Sequence, residues 1–182
     1  MRNLMLRQDA GAKPNAGDIK PFPNVAYDWL MWIDSDMVWN PEDVHRLIAH
    51  DRDIVTGLAI TDPPSMRLNI GEFNAEGGTR FWHCRELSKL PRDDNGLIEC
   101  GFAGYGFLLV KRGVFEAMSF PWFYPERVRI GNVDHYLGED ISWSKKAREC
   151  GFKIWADPVV QVGHEKSAVV RVKASETVKV EV

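Results

Sequence analysis

The chain has 182 residues and a formal net charge of −3, which suits one domain with a sizeable core and excludes a general nucleic-acid binder, whose mark is a strong basic excess. No apolar run reaches the length of a membrane-spanning helix, and the first residues hold no stretch that would serve as a signal peptide. Cys84, Cys100 and Cys150 stand far apart and are odd in number, so they form neither a CxxC metal pattern nor a disulfide framework; a reducing, cytoplasmic setting is the expectation.

In chain order, residues 2–9 read as a short helix and 10–26, rich in Gly, Pro and Asn, as loop. Residues 28–33 are a continuous apolar run, as expected of a central strand covered on both faces. Asn40-Pro41-Glu42-Asp43 then starts a helix: Asn40 caps, Pro41 suits the first helical position, and the acids favour the positive end of the dipole. That helix runs to His50 with Val44, Leu47 and Ile48 on its buried face, and residues 53–60 form the next strand. The strand–helix–strand order argues for a parallel α/β unit. Residues 61–66 read as a turn, 67–73 and 79–84 as paired strands, 85–96 as loop, 97–102 and 106–111 as two further strands, and 112–118 as a short helix. Residues 119–138, with their prolines, aromatics and glycines, are expected to form a surface loop over a site. A helix from Glu139 to Cys150 is closed by Gly151, and short strands follow at 153–155 and 158–163. The expected organisation is a single domain over 1–166 and a tail or edge strand over 167–182, where Val alternates with polar residues.

Four constellations carry chemistry. Asp34 and Asp36 follow the apolar run Trp29-Leu30-Met31-Trp32-Ile33. Ionised carboxylates at the end of a buried strand are costly without a partner, and a hard divalent cation such as Mg2+ or Mn2+ is such a partner. Short D-x-D matches arise by chance, but ligands of α/β sheets gather outside the carboxyl ends of strands, where this pair would lie. Glu139 and Asp140 open a helix after Gly138. Acids there also simply complement the dipole, yet a carboxylate held rigidly at a helix start could accept a proton from an attacking alcohol, although that position tends to lower its pKa. Gly101, Gly104 and Gly106 bracket a strand entry and allow close backbone approach to a ligand, or a bulge; Gly104, Tyr105 and Gly106 are the candidate ligand contacts. His164 directly follows an apolar strand and is a candidate third metal ligand beside the aspartates, better suited to Mn2+ than Mg2+. His45 and His50 sit on a helix and are expected to be solvated. Among the seven tryptophans some are expected in the core, while exposed ones would suit a sugar-stacking surface; Trp143 could line the pocket beside Asp140 or be core, and a carbohydrate-binding protein would keep Trp122 and Trp143.

Together these elements resemble a glycosyltransferase of the GT-A fold, family 2-like. YDWLMWIDSDMVWNPEDVHRL is similar to the metal-binding strand and the next helix, GFAGYGFLLVKRGVFEAM to the segment that follows, and GEDISWSKKARECGFKIWADP to the acid-bearing helix and strand. The resemblance covers roughly residues 25–166. It implies a Rossmann-like, mixed but mostly parallel central sheet flanked by helices, and transfer of a sugar from a nucleotide-diphosphate donor to a glycan or other acceptor hydroxyl. It implies Asp36 on a Mn2+ or Mg2+ ion that bridges the diphosphate and stabilises its departing charge. Asp34 would serve the ribose, the sugar or a metal-bound water, and His164 would complete the metal shell. Asp140 would be the base of an inverting enzyme, with Glu139 the second candidate. Such folds begin with strand–helix units that hold the nucleoside, and only 27 residues precede the first clear strand, so a shortened nucleotide-binding half is expected, compatible with an oligomer or partner chain. Two other readings use the same residues: a metal-dependent nucleotidyl- or phosphotransferase, and a non-catalytic carbohydrate-binding or assembly protein derived from a transferase.

Overall fold

The computed structural model describes residues 2–7, 19–166, 169–172 and 178–181. The expected end of the first helix and the loop over 10–18 lie outside the described residues. In chain order the elements are α1 (Arg2–Arg7), β1 (Trp29–Ile33), β2 (Met37–Val38), α2 (Pro41–Ala49), β3 (Ile54–Leu58), β4 (Ile60–Asp62), β5 (Arg67–Phe73), β6 (Thr79–His83), a 3-10 turn (Cys84–Lys89), β7 (Ile98–Cys100), β8 (Phe102–Ala103) and β9 (Phe107–Lys111). They continue with α3 (Val114–Ala117), β10 (Glu126–Ile130), β11 (Val133–Leu137), α4 (Glu139–Glu149), β12 (Ile154–Gln161), β13 (Gly163–His164), β14 (Val169–Val172) and β15 (Val178–Glu181).

The protein is a mixed α/β fold around a five-stranded sheet ordered β1-β9-β3-β12-β7. The expected mostly parallel sheet is corrected: β3 and β12 are parallel, while β1–β9, β9–β3 and β12–β7 are antiparallel. The physical reason lies in β9. Phe107, Leu108, Leu109 and Val110 are all buried, so this run takes an interior position beside the central β3 and separates β1 from it. β1 is therefore an edge strand and not the central one expected, although both its faces are packed. Trp29 and Met31 join a cluster with Leu47, Phe107 and Leu109, and Leu30 and Trp32 pack against the main core on the other face. Because β9 is antiparallel to both neighbours, β1 and β3 still run in the same direction, as β12 does with β3. Their carboxyl ends share one edge of the sheet.

α2 starts as its sequence dictates: the Asn40 backbone N–H donates to the Asp43 carboxylate at 2.9 Å. Leu47 is buried and Val44 packs beside it, but Ile48 is exposed, so the buried stripe is narrower than expected. His50 is not solvated. Its Nε2 lies 2.7 Å from Asp157, a buried carboxylate that also accepts from Arg46 at 2.6 Å. Burial pushes the Asp157 carboxyl up, but the hydrogen bonds from His50 and Arg46 prevail and hold it below its ordinary value. Asp157 also marks where β12 changes register against β3, which makes one irregular strand of the two expected.

A second sheet runs β4-β5-β6, with β8 paired to β5. Gly71 in β5 sits where a β-carbon would lie 2.2 Å from the Arg80 carbonyl oxygen and 2.5 Å from Phe102 Cζ. A backbone oxygen cannot swing aside, so Gly71→Ala is expected to lose about 1–3 kcal/mol of stability. Urea unfolding followed by tryptophan fluorescence reads this directly, and an unchanged midpoint would mean that β5 and β6 are less closely apposed.

Residues 119–138 hold a hairpin where a loop was expected. β10 and β11 pair antiparallel from Glu126↔Leu137 to Ile130↔Val133. Gly131, at φ 59°, and Asn132 make the two-residue turn. Trp122 and Trp143 are both fully buried in an aromatic core, which is the core alternative for Trp143 and leaves neither ring free to stack on a sugar. Trp122 Nε1 donates to the Phe115 carbonyl, and Trp143 meets Tyr105 edge-on at 4.9 Å. In the tail, β14 and β15 pair antiparallel with each other. Residues 167–168, 173–177 and 182 of that tail lie outside the described residues. Among the described residues no helix is long and apolar enough to cross a membrane.

Candidate functional site

The shared edge of the sheet carries the acids. As β1 ends, the Asp34 N–H donates to the Gly106 carbonyl at 3.0 Å, which ties the D-x-D turn to the entry of β9. On the other side, β13 pairs with β2, placing His164 opposite Met37, and the Glu165 N–H donates to the Asp36 carbonyl at 2.8 Å. The turn is thus clamped by two elements far away in sequence.

His164 and Asp36 meet as expected: His164 Nε2 is 2.9 Å from Asp36 Oδ2. His164 Nδ1 lies 3.0 Å from the Ile60 carbonyl oxygen, which can only accept, so Nδ1 carries a proton. In the neutral ring Nε2 therefore offers its lone pair, and the Lys166 ammonium donates to it at 2.6 Å. A carboxylate oxygen and an imidazole lone pair at this separation repel unless a proton or a cation lies between them. With a proton on Nε2 as well, the hydrogen bond from His164 is the leading cause that holds the Asp36 carboxyl below its ordinary value, and Nε2 then no longer accepts from Lys166. A carboxylate and an imidazole fixed by a backbone carbonyl form a donor set that suits Mn2+. Asp36 and His164 are the two residues that could hold a cation here, with the Lys166 ammonium displaced from Nε2.

Asp34 does not join them. Its Oδ1 lies 3.4 Å from Arg2 Nη2, and Arg2 Nη1 is 2.7 Å from Glu139 Oε1. Among the described residues no group of three or more His, Cys, Asp or Glu side chains is gathered for a metal. Of the three candidate ligands, Asp36 and His164 lie side by side, and Asp34 pairs instead with Arg2.

Glu139 and Asp140 open α4 as expected. Asp140 Oδ1 accepts from the Ile141 N–H at 2.8 Å, while Oδ2 lies 3.8 Å from where a β-carbon on Gly104 would stand. The expected lowering of its pKa is overturned. Burial is the largest influence and raises the Asp140 carboxyl above its ordinary value. The Ile141 N–H opposes this, the Glu139 charge adds to it, and Arg2 opposes it.

Asp34, Gly104, Tyr105, Gly106, Glu139, Asp140 and His164 all line one cavity of about 180 Å³. A larger cavity of about 650 Å³, bordered by Trp32, Phe123 and Tyr124, shares Arg2, Asp34 and Glu139 with it. Tyr105 is buried, with Trp32 at 5.6 Å and Phe123 at 4.9 Å. Among the described residues its hydroxyl has no hydrogen-bond partner, and burial keeps it a neutral phenol.

Two contributors stand outside the four constellations. Arg2 stands far from the other site residues in sequence. Asn69 lies within the strand RLNIGEF, where a polar residue among apolar neighbours is the available signal. It is buried; its Oδ1 accepts from the Ala59 N–H at 3.0 Å, its Nδ2 donates to the Gly57 carbonyl at 2.9 Å, and its own carbonyl accepts from the Gly104 N–H at 2.7 Å. Asn69 thereby ties the end of β3 to the glycine segment beside Asp140.

No protein-family model matches the chain, and no curated protein does. Among solved structures the chain is similar to the one titled "Crystal Structure of A197 from STIV", with a TM-score of 0.45 and 18% sequence identity over 82% of this chain and 72% of that one.

Proposed function

We propose that this chain is a metal-dependent glycosyltransferase of the GT-A kind, moving a sugar from a nucleotide-diphosphate donor to the hydroxyl of a glycan or similar acceptor. One observation carries the reading. Residues from four separate segments, Asp34, Gly104–Gly106, Glu139–Asp140 and His164, line one cavity, with Asp36 held against His164. A cation held by Asp36 and His164 would act as a Lewis acid on the leaving diphosphate.

The acceptor hydroxyl attacks the anomeric carbon as the bond from that carbon to the diphosphate oxygen breaks. Asp140 takes the hydroxyl proton. Its burial suits the task, because a carboxylate with a raised pKa is a better proton acceptor. The Ile141 N–H fixes one Asp140 oxygen and leaves the other for the substrate. Gly104 and Gly106, without side chains, leave room for the donor between Asp140 and Asp34. The burial of Trp122 and Trp143 takes these two rings out of any sugar-stacking surface.

Titration calorimetry with UDP and GDP, with and without Mn2+, tests this reading. Metal-dependent binding of one nucleotide is expected. Binding of neither in the presence of Mn2+ would refute a donor site in this chain.

A further inference from the structure

We propose that Arg2 is the anion-binding residue of this site, and that Glu139 and Asp34 occupy its guanidinium until a diphosphate displaces them. The assignment of that diphosphate to a sugar donor rests on the transferase reading, whereas the anion site stands on its own geometry. Arg2, Asp34 and Glu139 line both cavities, so one cation and two acids stand at the junction. With Asp36 and Asp140 nearby, a diphosphate meets a set of four carboxylates and is repelled unless cations offset them. A divalent ion at Asp36 and His164 supplies one offset. Arg2, on the other side of Asp34, supplies the second.

Arg2 is also the most firmly placed member of its ion-pair trio. Its side chain is 23% exposed, against 49% for Asp34 and 51% for Glu139. Its guanidinium lies 5.1 Å from the centre of the Tyr105 ring and 6.0 Å from that of Phe123. Cation–π contact holds the planar fork where it is, while the two carboxylates reach it from wetter positions. Pairs with such exposed acids contribute little net free energy, and the contact to Asp34 is long at 3.4 Å. A phosphate presents two oxygens to the same fork in bidentate geometry and with more charge. Exchanging carboxylate for phosphate therefore keeps Arg2 in place and releases Glu139 beside Asp140, where it is free to hold the incoming acceptor.

The test is titration calorimetry of inorganic pyrophosphate with Mn2+ on the full chain, its Arg2→Met, Arg2→Lys and Glu139→Gln variants, with UDP titrated in parallel. Arg2→Met is expected to weaken pyrophosphate about tenfold or more, with affinity for Mn2+ alone unchanged. Arg2→Lys should restore part of the loss. Glu139→Gln should bind pyrophosphate more tightly than the parent, an effect opposite in sign to structural damage. Equal pyrophosphate affinity in Arg2→Met, weaker binding in Glu139→Gln, or no pyrophosphate binding by the parent would each overturn the proposal. Nucleotide binding that ignores Arg2 overturns this proposal and leaves the transferase reading intact. Arg2-dependent pyrophosphate binding without nucleotide binding does the reverse.

Discussion

Asp140→Asn is expected to abolish sugar transfer while leaving the protein more stable at neutral pH. Removing a general base costs about 10²–10⁴-fold in rate. The Asn side-chain oxygen can still accept from the Ile141 N–H, so the start of α4 is retained. Nucleotide and Mn2+ affinities should hold, which separates lost chemistry from lost binding. The stability effect follows from linkage. Burial raises the folded-state pKa of Asp140 above its unfolded value, so between the two values the native state binds more protons than the unfolded one, and stability falls as pH rises. The contribution is full below the unfolded pKa and is lost as pH climbs through the folded one. Above that point the parent buries a charge that the Asn variant lacks. Melting curves across acid to neutral pH should show the variant gaining on the parent as pH rises. A variant that melts lower than the parent at neutral pH, or that still transfers sugar at the parent rate, would remove Asp140 from the role of base. The same burial places the acid limb of the activity profile above the ordinary carboxylate range.

The second large effect is expected at the metal pair. Asp36→Ala and His164→Ala should each weaken Mn2+ binding about 100-fold or more, since loss of even the outer partners of ligands costs 10–100-fold. Asp34→Ala should do far less to Mn2+ alone, because Asp34 faces Arg2 and not the pair. The paramagnetic signal of free Mn2+ measures this without any substrate. Equal losses for Asp34 and Asp36 would mean that the aspartates act as a joint metal set; no loss for Asp36 would mean that the cation lies elsewhere.

Much of this site was legible in the sequence because its parts are local. An apolar strand ending in Asp34-Ser35-Asp36, a capped helix at Asn40, an acid-led helix at Glu139 and a His after a strand are each visible within ten or so residues. Pairings between distant segments were less legible. Nothing in Phe107-Leu108-Leu109-Val110 announces that it will insert between β1 and β3, because apolar runs look alike in sequence until they compete for the interior positions of a sheet. The hairpin over 126–137 carried a usable signal: ERVRI and VDHYL alternate around a two-residue Gly-Asn turn. Composition alone, with its prolines and aromatics, hid it. The buried tryptophans show the limit of reading residue type as surface chemistry, since large aromatics fill cores as readily as they stack on sugars. Burial likewise reversed the expected direction for Asp140, as the depth of a side chain cannot be read from its place in a helix.

The most direct test of the central claim is anomalous diffraction from crystals grown with Mn2+ and the nucleotide, UDP or GDP, that binds. The account places one Mn2+ within about 2.1 Å of oxygen ligands from Asp36 and the diphosphate, with His164 Nε2 as a further ligand. The anomeric end of the diphosphate should face Asp140. A manganese peak away from Asp36 and His164, or a nucleotide whose diphosphate avoids the cavity between Asp34 and Asp140, would contradict it.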